Sequence, residues 1–216
     1  MIRAIFFDFD DTLTHTLRIV EGLFEILFDQ LHLEWKSDYM PIMIPKKVSE
    51  ISQYIKTTYT INQTKEEIES MFMTLLEDQY RYNIPERQGA KRFLQFCHER
   101  GWKIIIYTSS PIINVELASN RLGFISYIDS IYSAEQLHSS KGNPEFLLNA
   151  LREYNLKTED ILFFEDSQYS LDVAKQLGIQ VIGVQGEYND LKEEYMISNF
   201  DECFELEEIR KLLEMD

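Results

Sequence analysis

Five short runs of apolar and aromatic residues punctuate the chain, at 2–8, 103–108, 127–132, 160–165 and 180–184, each rich in Ile, Val, Phe or Tyr. Runs of this length and composition predict buried strands. Between the later runs the apolar positions recur at helical spacing instead. In GAKRFLQFCHERG (89–101) Phe93, Leu94, Phe96 and Cys97 share a face, and Gly101 stands where a helix would end in a left-handed residue. PIINVELASNRLG closes in the same way at Gly123, NPEFLLNALREYNL opens with Pro144 at a first helical position, and SQYSLDVAKQLG stops at Gly178. Strand and helix alternate, and right-handed crossovers then require a parallel sheet covered on both faces. The predicted core is a doubly wound, Rossmann-like α/β domain whose ligand belongs at the carboxyl ends of the strands.

Residues 15–87 break that rhythm, because they carry only the helical period. TLRIVEGLFEILFDQLHL aligns Leu17, Val20, Phe24, Leu27 and Leu31, and KKVSEISQYIKTTY aligns Val48, Ile51 and Ile55. TKEEIESMFMTLLEDQY opens with Thr64 and Glu67 spaced as a capping box. The expected organisation is an α/β core of residues 1–14 and 88–216 with a small all-helical cap, 15–87, inserted after the first strand as a lid. Residues from about Glu205 to Glu214 read as a closing helix.

Composition narrows the function. The 216 residues are 44% hydrophobic and 27% charged, ordinary for a globular protein. The net charge of −16, from 37 acids against 21 bases, argues against nucleic acid or an anionic lipid surface as a partner. An anionic small molecule would need local positive charge, here a metal ion and one or two lysines. The apolar run from Ala4 to Phe7 stops at Asp8, so neither a secretory signal nor a membrane span is visible. Cys97 and Cys203 are expected as buried free thiols, which suits a reducing cytoplasm.

The first strand delivers Asp8, Asp10 and Asp11 in AIFFDFDDTL to one place. Two carboxylates two residues apart at a strand end raise each other's pKa unless a cation intervenes, which makes a bound metal a reasonable inference. Taken alone, such acids also serve as caps or solvated loop residues. Three further sites fall on the same edge. IIIYTSS ends the second strand with Thr108 and Ser109, hydroxyls able to bond a phosphate oxygen or simply to cap a turn. Lys141 precedes a core helix in SSKGNPEF. ILFFEDS ends the fourth strand with Glu165 and Asp166, and Asp172 follows on the next helix.

Taken in order, this set resembles the haloacid dehalogenase superfamily of hydrolases over the whole chain. DFDDT looks like the first family motif, IIIYTS the second, Lys141 the third and FFEDSQYSLD the fourth, while the helical insert resembles the helical-cap subclass of sugar phosphate, phosphoglycolate and nucleotide phosphatases. The resemblance implies Asp8 as nucleophile, forming an aspartyl-phosphate, and Asp10 as the acid and then base. It implies Mg²⁺ on the Asp8 carboxylate, the Asp10 main-chain carbonyl and Asp166, with Glu165 and Asp172 supporting. Thr108 and Ser109 would hold phosphate oxygens and Lys141 would balance charge. An acid at Asp10 points to phosphate esters rather than C–Cl or C–P bonds. Asp11 replaces the glycine frequent at that place and is expected as a turn residue.

The implied reaction is Mg²⁺-dependent hydrolysis of a small phosphorylated metabolite: a sugar phosphate, a nucleotide or a small acid phosphate. A phosphomutase would use the same residues, and a non-catalytic phospho-ligand sensor is the alternative from another class. His15, Arg18, Lys46 and Lys47 are candidates for contacting the rest of the substrate, with solvated surface charge the plainer expectation. Trp35 and Tyr39 are expected to pack within the cap, with stacking on a sugar or base the alternative.

Overall fold

The computed structural model describes residues 1–43, 46, 48–186 and 189–215. In chain order the elements are β1 (Ala4–Phe7), α1 (Leu17–Gln30), α2 (Met40–Met43), α3 (Val48–Thr58), α4 (Lys65–Tyr82), α5 (Ala90–Glu99), β2 (Lys103–Thr108), α6 (Ile112–Leu122) and β3 (Ser130–Ser133). They continue with α7 (Pro144–Glu153), β4 (Ile161–Glu165), α8 (Gln168–Gln176), β5 (Gln180–Val184), β6 (Met196–Ile197), α9 (Glu202–Glu205) and α10 (Glu207–Leu212). The chain divides into two compact units, Met1–His15 with Pro85–Asp216, and Thr16–Ile84.

The first unit carries a six-stranded parallel sheet in the order β3-β2-β1-β4-β5-β6. All four residues of β1 are buried, as a central parallel strand covered on both faces requires. One face packs Phe6, Tyr107 and Phe163 against α7 and α8, with the ring centroids of Tyr107 and of Phe146 on α7 4.7 Å apart. On the other face Phe7 stacks on Phe164 at 5.1 Å, and Phe93 of α5 meets Phe164 edge-on at 5.3 Å. Register matters for the site, because Phe7 is level with Ile106 of β2 and Phe164 of β4. One residue further on, Asp8, Tyr107 and Glu165 stand side by side.

Among the described residues the regular structure of the second unit is all helical. Phe24, Leu27, Phe28, Ile51, Ile55, Ile68 and Phe72 are in its core; of the predicted stripes Phe24, Leu27, Leu31, Ile51 and Ile55 are buried there, Val20 and Val48 pack against it half-buried, and Leu17 lies outside it. The capping box of α4 is formed: the Thr64 side chain accepts from the Glu67 N–H, and the Glu67 carboxylate accepts from the Thr64 N–H at 2.7 Å. Trp35 stacks on Phe24 at 5.3 Å and meets Tyr39 edge-on, so both rings serve packing.

Four sequence expectations shift. β3 starts at Ser130 rather than 127, because the Asp129 carboxylate accepts the Ile104 N–H and closes the turn before the strand. The closing helix runs over Glu207–Leu212 rather than from Glu205, because Leu206 takes an extended backbone that separates it from the short α9. β6 is two residues long and lacks a readable period. The segment Pro85–Arg87 groups with the α/β unit, because the His15 N–H donates to the Pro85 carbonyl and the Arg87 N–H to that of Leu13. Both cysteines are buried free thiols, and burial pushes both pKa values well up. Among the described residues no helix is long and apolar enough to cross a membrane.

Candidate active site

The loop leaving β1 is shaped by two adjacent residues. Asp10 keeps an extended backbone, and Asp11 turns left-handed at φ +57°, a conformation that glycine adopts freely and that Asp tolerates better than most side chains. This turn explains the glycine preference at that position and fits the turn role expected of Asp11. Arg87 holds the turn from outside. Its buried guanidinium donates to the carbonyls of Asp11 (2.5 Å), Thr12 (2.9 Å), Gln185 (3.2 Å) and Ser198 (2.9 Å).

Asp8 is buried at the end of β1, and its N–H donates to the Phe164 carbonyl, fixing it beside β4. Lys141, 4% exposed, donates from Nζ to Asp8 Oδ1 at 2.6 Å and to Glu165 Oε2 at 2.7 Å. The other Glu165 oxygen accepts the N–H groups of Asp166 and Ser167 at 3.2 and 3.1 Å. Both Glu165 oxygens thus accept hydrogen bonds, and Asp166 Oδ1 accepts at 3.5 Å from the Thr12 and Ser167 hydroxyls. Thr108 Oγ1, buried at the end of β2, accepts the Ser110 N–H at 3.0 Å and keeps its own proton to donate. Ser110 Oγ donates to Asp10 Oδ2 at 2.5 Å, and its carbonyl accepts from Ser133 Oγ.

Ligand oxygens of Asp8, Glu165 and Asp166 all lie within 4.8 Å of one another. Three carboxylates against one ammonium leave unbalanced negative charge in a buried space, and a hard divalent cation with oxygen ligands suits that donor set. Without such a cation, burial pushes Asp8 up to about 8; Lys141 opposes the rise, and Glu165 and Asp10 add to it. Asp166 is likewise pushed well up by burial, then by Asp8 and Glu165. Burial works against the Lys141 ammonium, but Asp8 and Glu165 outweigh it and hold the lysine well above its usual range.

Of the residues singled out from sequence, the structure gathers Asp8, Lys141, Glu165 and Asp166 directly, with Asp10 joined through Ser110 to the β2 end that carries Thr108 and Ser109. Asp172 is not among them. It is exposed, accepts from Gln168 at 2.9 Å and pairs with Lys175 at 3.3 Å, so its charge is spent in a surface network rather than behind the acidic cluster. Arg18 is exposed on α1, Lys46 is half-buried, and Lys47 lies outside the described residues. Ser110 and Arg87 were not legible as site residues. The only sequence signal for Ser110 is its place after Thr108 and Ser109.

A model of the haloacid dehalogenase-like hydrolases matches residues 5–184. The chain belongs to that family. Among curated family relatives it is 30% identical over 110 residues to the phosphorylated carbohydrates phosphatase of Thermotoga maritima, a match covering 50% of this chain and 51%, about half, of that relative. A Thermotoga maritima crystal structure bearing the name beta-phosphoglucomutase shares the fold with a TM-score of 0.82 at 21% identity, over 99% of both chains. CbbY from Rhodobacter sphaeroides, solved in complex with phosphate, shares it at 0.78 and 22% identity, over 94% of this chain and 96% of that one.

Proposed function

We propose that this haloacid dehalogenase-like hydrolase is a Mg²⁺-dependent phosphatase that cleaves a small phosphate monoester, a phosphorylated carbohydrate, through an aspartyl-phosphate on Asp8. One observation carries the reading. The Lys141 ammonium bridges Asp8 and Glu165 in a buried space, while Asp10, two residues on, is held separately by Ser110. A nucleophile and an acid are thereby kept apart but on one rigid loop, which is what two-step phosphoryl transfer needs.

Asp8 attacks phosphorus through a carboxylate oxygen as the ester bond breaks, and Asp10 gives its proton to the departing alkoxide. In the second half Asp10 takes a proton from water as that water attacks phosphorus and releases Asp8. Thr108 and Ser109 bind the phosphate oxygens, and Lys141 offsets charge between nucleophile and phosphate. Asp8, the Asp10 carbonyl and Asp166 would hold Mg²⁺, which when bound supplies positive charge for the phosphoryl oxygens. The substrate class is supported by the relative named for phosphorylated carbohydrates. The helical unit is inferred to act as the cap, because it is inserted directly after the loop that carries Asp8 and Asp10.

Phosphate release from a panel of sugar phosphates, nucleoside monophosphates and small acid phosphates, with Mg²⁺ or EDTA, tests this directly. Turnover should need Mg²⁺, favour sugar phosphates and vanish in Asp8→Asn with the fold retained. Equal activity in Asp8→Asn would sink the mechanism.

A further inference from the structure

Asn189, in the segment that follows β5, belongs to none of the four motifs, yet its amide reaches the loop that carries Asp166. Nδ2 donates to the Asp166 carbonyl at 2.9 Å and to the Val184 carbonyl at 3.0 Å. Oδ1 accepts from Gln185 Nε2 at 2.7 Å and from the Gly186 N–H at 2.9 Å. Both donors and both acceptor positions of one primary amide are thereby used. Its orientation follows from the partners, since two carbonyls accept only from the nitrogen and two N–H groups donate only to the oxygen.

The consequence falls on Asp166. Its N–H donates to Glu165 Oε1 at 3.2 Å and its carbonyl accepts from Asn189, so both peptide planes flanking its Cα are held, and with them the direction in which the carboxylate leaves the backbone. Asp166 Oδ1 accepts from the Thr12 and Ser167 hydroxyls at 3.5 Å, longer than a usual hydroxyl bond, so the backbone carries much of its aim. The anchor is itself fixed. Arg87 holds the Gln185 carbonyl, and a Cβ built on Gly186 would lie 3.7 Å from Asn189 Nδ2 and 3.8 Å from Arg87 Nη2. Because Arg87 also holds the Asp11 and Thr12 carbonyls, the segment after β5 ties the Asp166 loop to the loop that carries Asp8 and Asp10.

Given the Mg²⁺-dependent phosphatase reading, on which this rests, we propose that Asn189 is a positioning residue for the cation: its amide fixes the Asp166 backbone and so sets where that carboxylate stands relative to Asp8 and the Asp10 carbonyl. Mg²⁺ demands a near-ideal octahedron of short bonds, whereas Ca²⁺ accepts varied geometry. A ligand held at its backbone therefore favours Mg²⁺ over Ca²⁺.

The test is calorimetric titration of Mg²⁺ and, separately, Ca²⁺ into the metal-stripped wild type, Asn189→Ala and Asn189→Asp, each checked by circular dichroism to be folded in EDTA. Both variants should weaken Mg²⁺ by roughly 10-fold, the lower end of what loss of a group behind the metal ligands costs, and Ca²⁺ by less, so that the preference for Mg²⁺ narrows. Asn189→Asp is the sharper arm. It is nearly isosteric and its added negative charge would by itself tighten a cation, but its oxygen faces two carbonyls to which it cannot donate. If Asn189→Ala does not fold, Asn189→Asp decides alone. A merely structural role would lower the unfolding midpoint and leave both affinities of the folded protein unchanged; that result, or equal losses for the two cations, would overturn the proposal. A wild-type protein that takes up no Mg²⁺ would overturn the metal reading and this one with it, whereas Mg²⁺ binding that the Asn189 variants retain in full overturns this one alone.

Discussion

Arg87→Met is the perturbation that most directly tests how the loop after β1 is held. The guanidinium, 3% exposed, donates to four main-chain carbonyls on three separate segments: Asp11 and Thr12 after β1, Gln185 after β5 and Ser198 after β6. Each hydrogen bond from a charged donor contributes about 1.5–3 kcal/mol, so the four together have a gross value of ~6–12 kcal/mol. Two terms reduce it. Methionine carries no charge, so the substitution returns the desolvation penalty of a buried cation, which is several kcal/mol. Carbonyls left behind can also recruit water where the loops relax. A net loss of about 3–5 kcal/mol remains, the range seen when one partner of a buried charged network is removed.

That loss is a large share of the ~5–15 kcal/mol that stabilises a typical domain. Equilibrium urea unfolding followed by circular dichroism should show a lower midpoint with an unchanged slope. Arg87→Lys keeps the charge but not the planar fork, and should lose about half as much. If the loop reasoning holds, turnover at saturating substrate should also fall in Arg87→Lys while the protein is still folded, because the Asp11 turn that aims Asp8 and Asp10 loosens first. A stability change under about 1 kcal/mol in Arg87→Met would refute the clamp, since surface substitutions already span that range.

Two further outcomes are expected. Gly89 sits at φ +78°, and a Cβ there would lie 2.7 Å from both the Asp201 N and Oδ1, so Gly89→Ala should cost about 2–4 kcal/mol in urea unfolding, against under 1 kcal/mol if Asp201 simply moves aside. Mg²⁺ at 100 times its dissociation constant should stabilise the protein by about 2.7 kcal/mol, roughly 5–10 °C in melting temperature. Asp166→Asn should abolish that shift yet melt no lower than wild type in EDTA, because it removes one of three crowded carboxylates; a Mg²⁺ shift that survives the substitution would show that the cation binds elsewhere.

Much of this architecture is legible in the sequence because its signals are local. Apolar runs fix β1, β2, β4 and β5, and Gly101, Gly123 and Gly178 all take the positive φ expected at helix ends. β3 slips because a non-local contact, Asp129 on the Ile104 N–H, decides where pairing starts. Asp8, Lys141, Glu165 and Asp166 are readable because each stands at a strand end or in the loop beyond it, and strand ends converge in a doubly wound sheet. Asp172 misleads for the opposite reason: a carboxylate on a helix can face the site or the solvent, and only the packing of α8 decides which.

Arg87 was invisible because its partners are carbonyls, which every residue carries, so no residue type marks the positions it will reach. Its importance is nonetheless implied by an oddity that the sequence does show. An aspartate stands where glycine is frequent, and the structure gives that residue φ +57°. For a side chain other than glycine, a left-handed backbone persists only where the surroundings over-determine it. Arg87 supplies that constraint, taking the Asp11 carbonyl and the next one along with a single rigid fork. The departure from glycine and the buried arginine are two halves of one arrangement, and together they keep Asp8 and Asp10 on a loop stiff enough for the proposed attack on a phosphate.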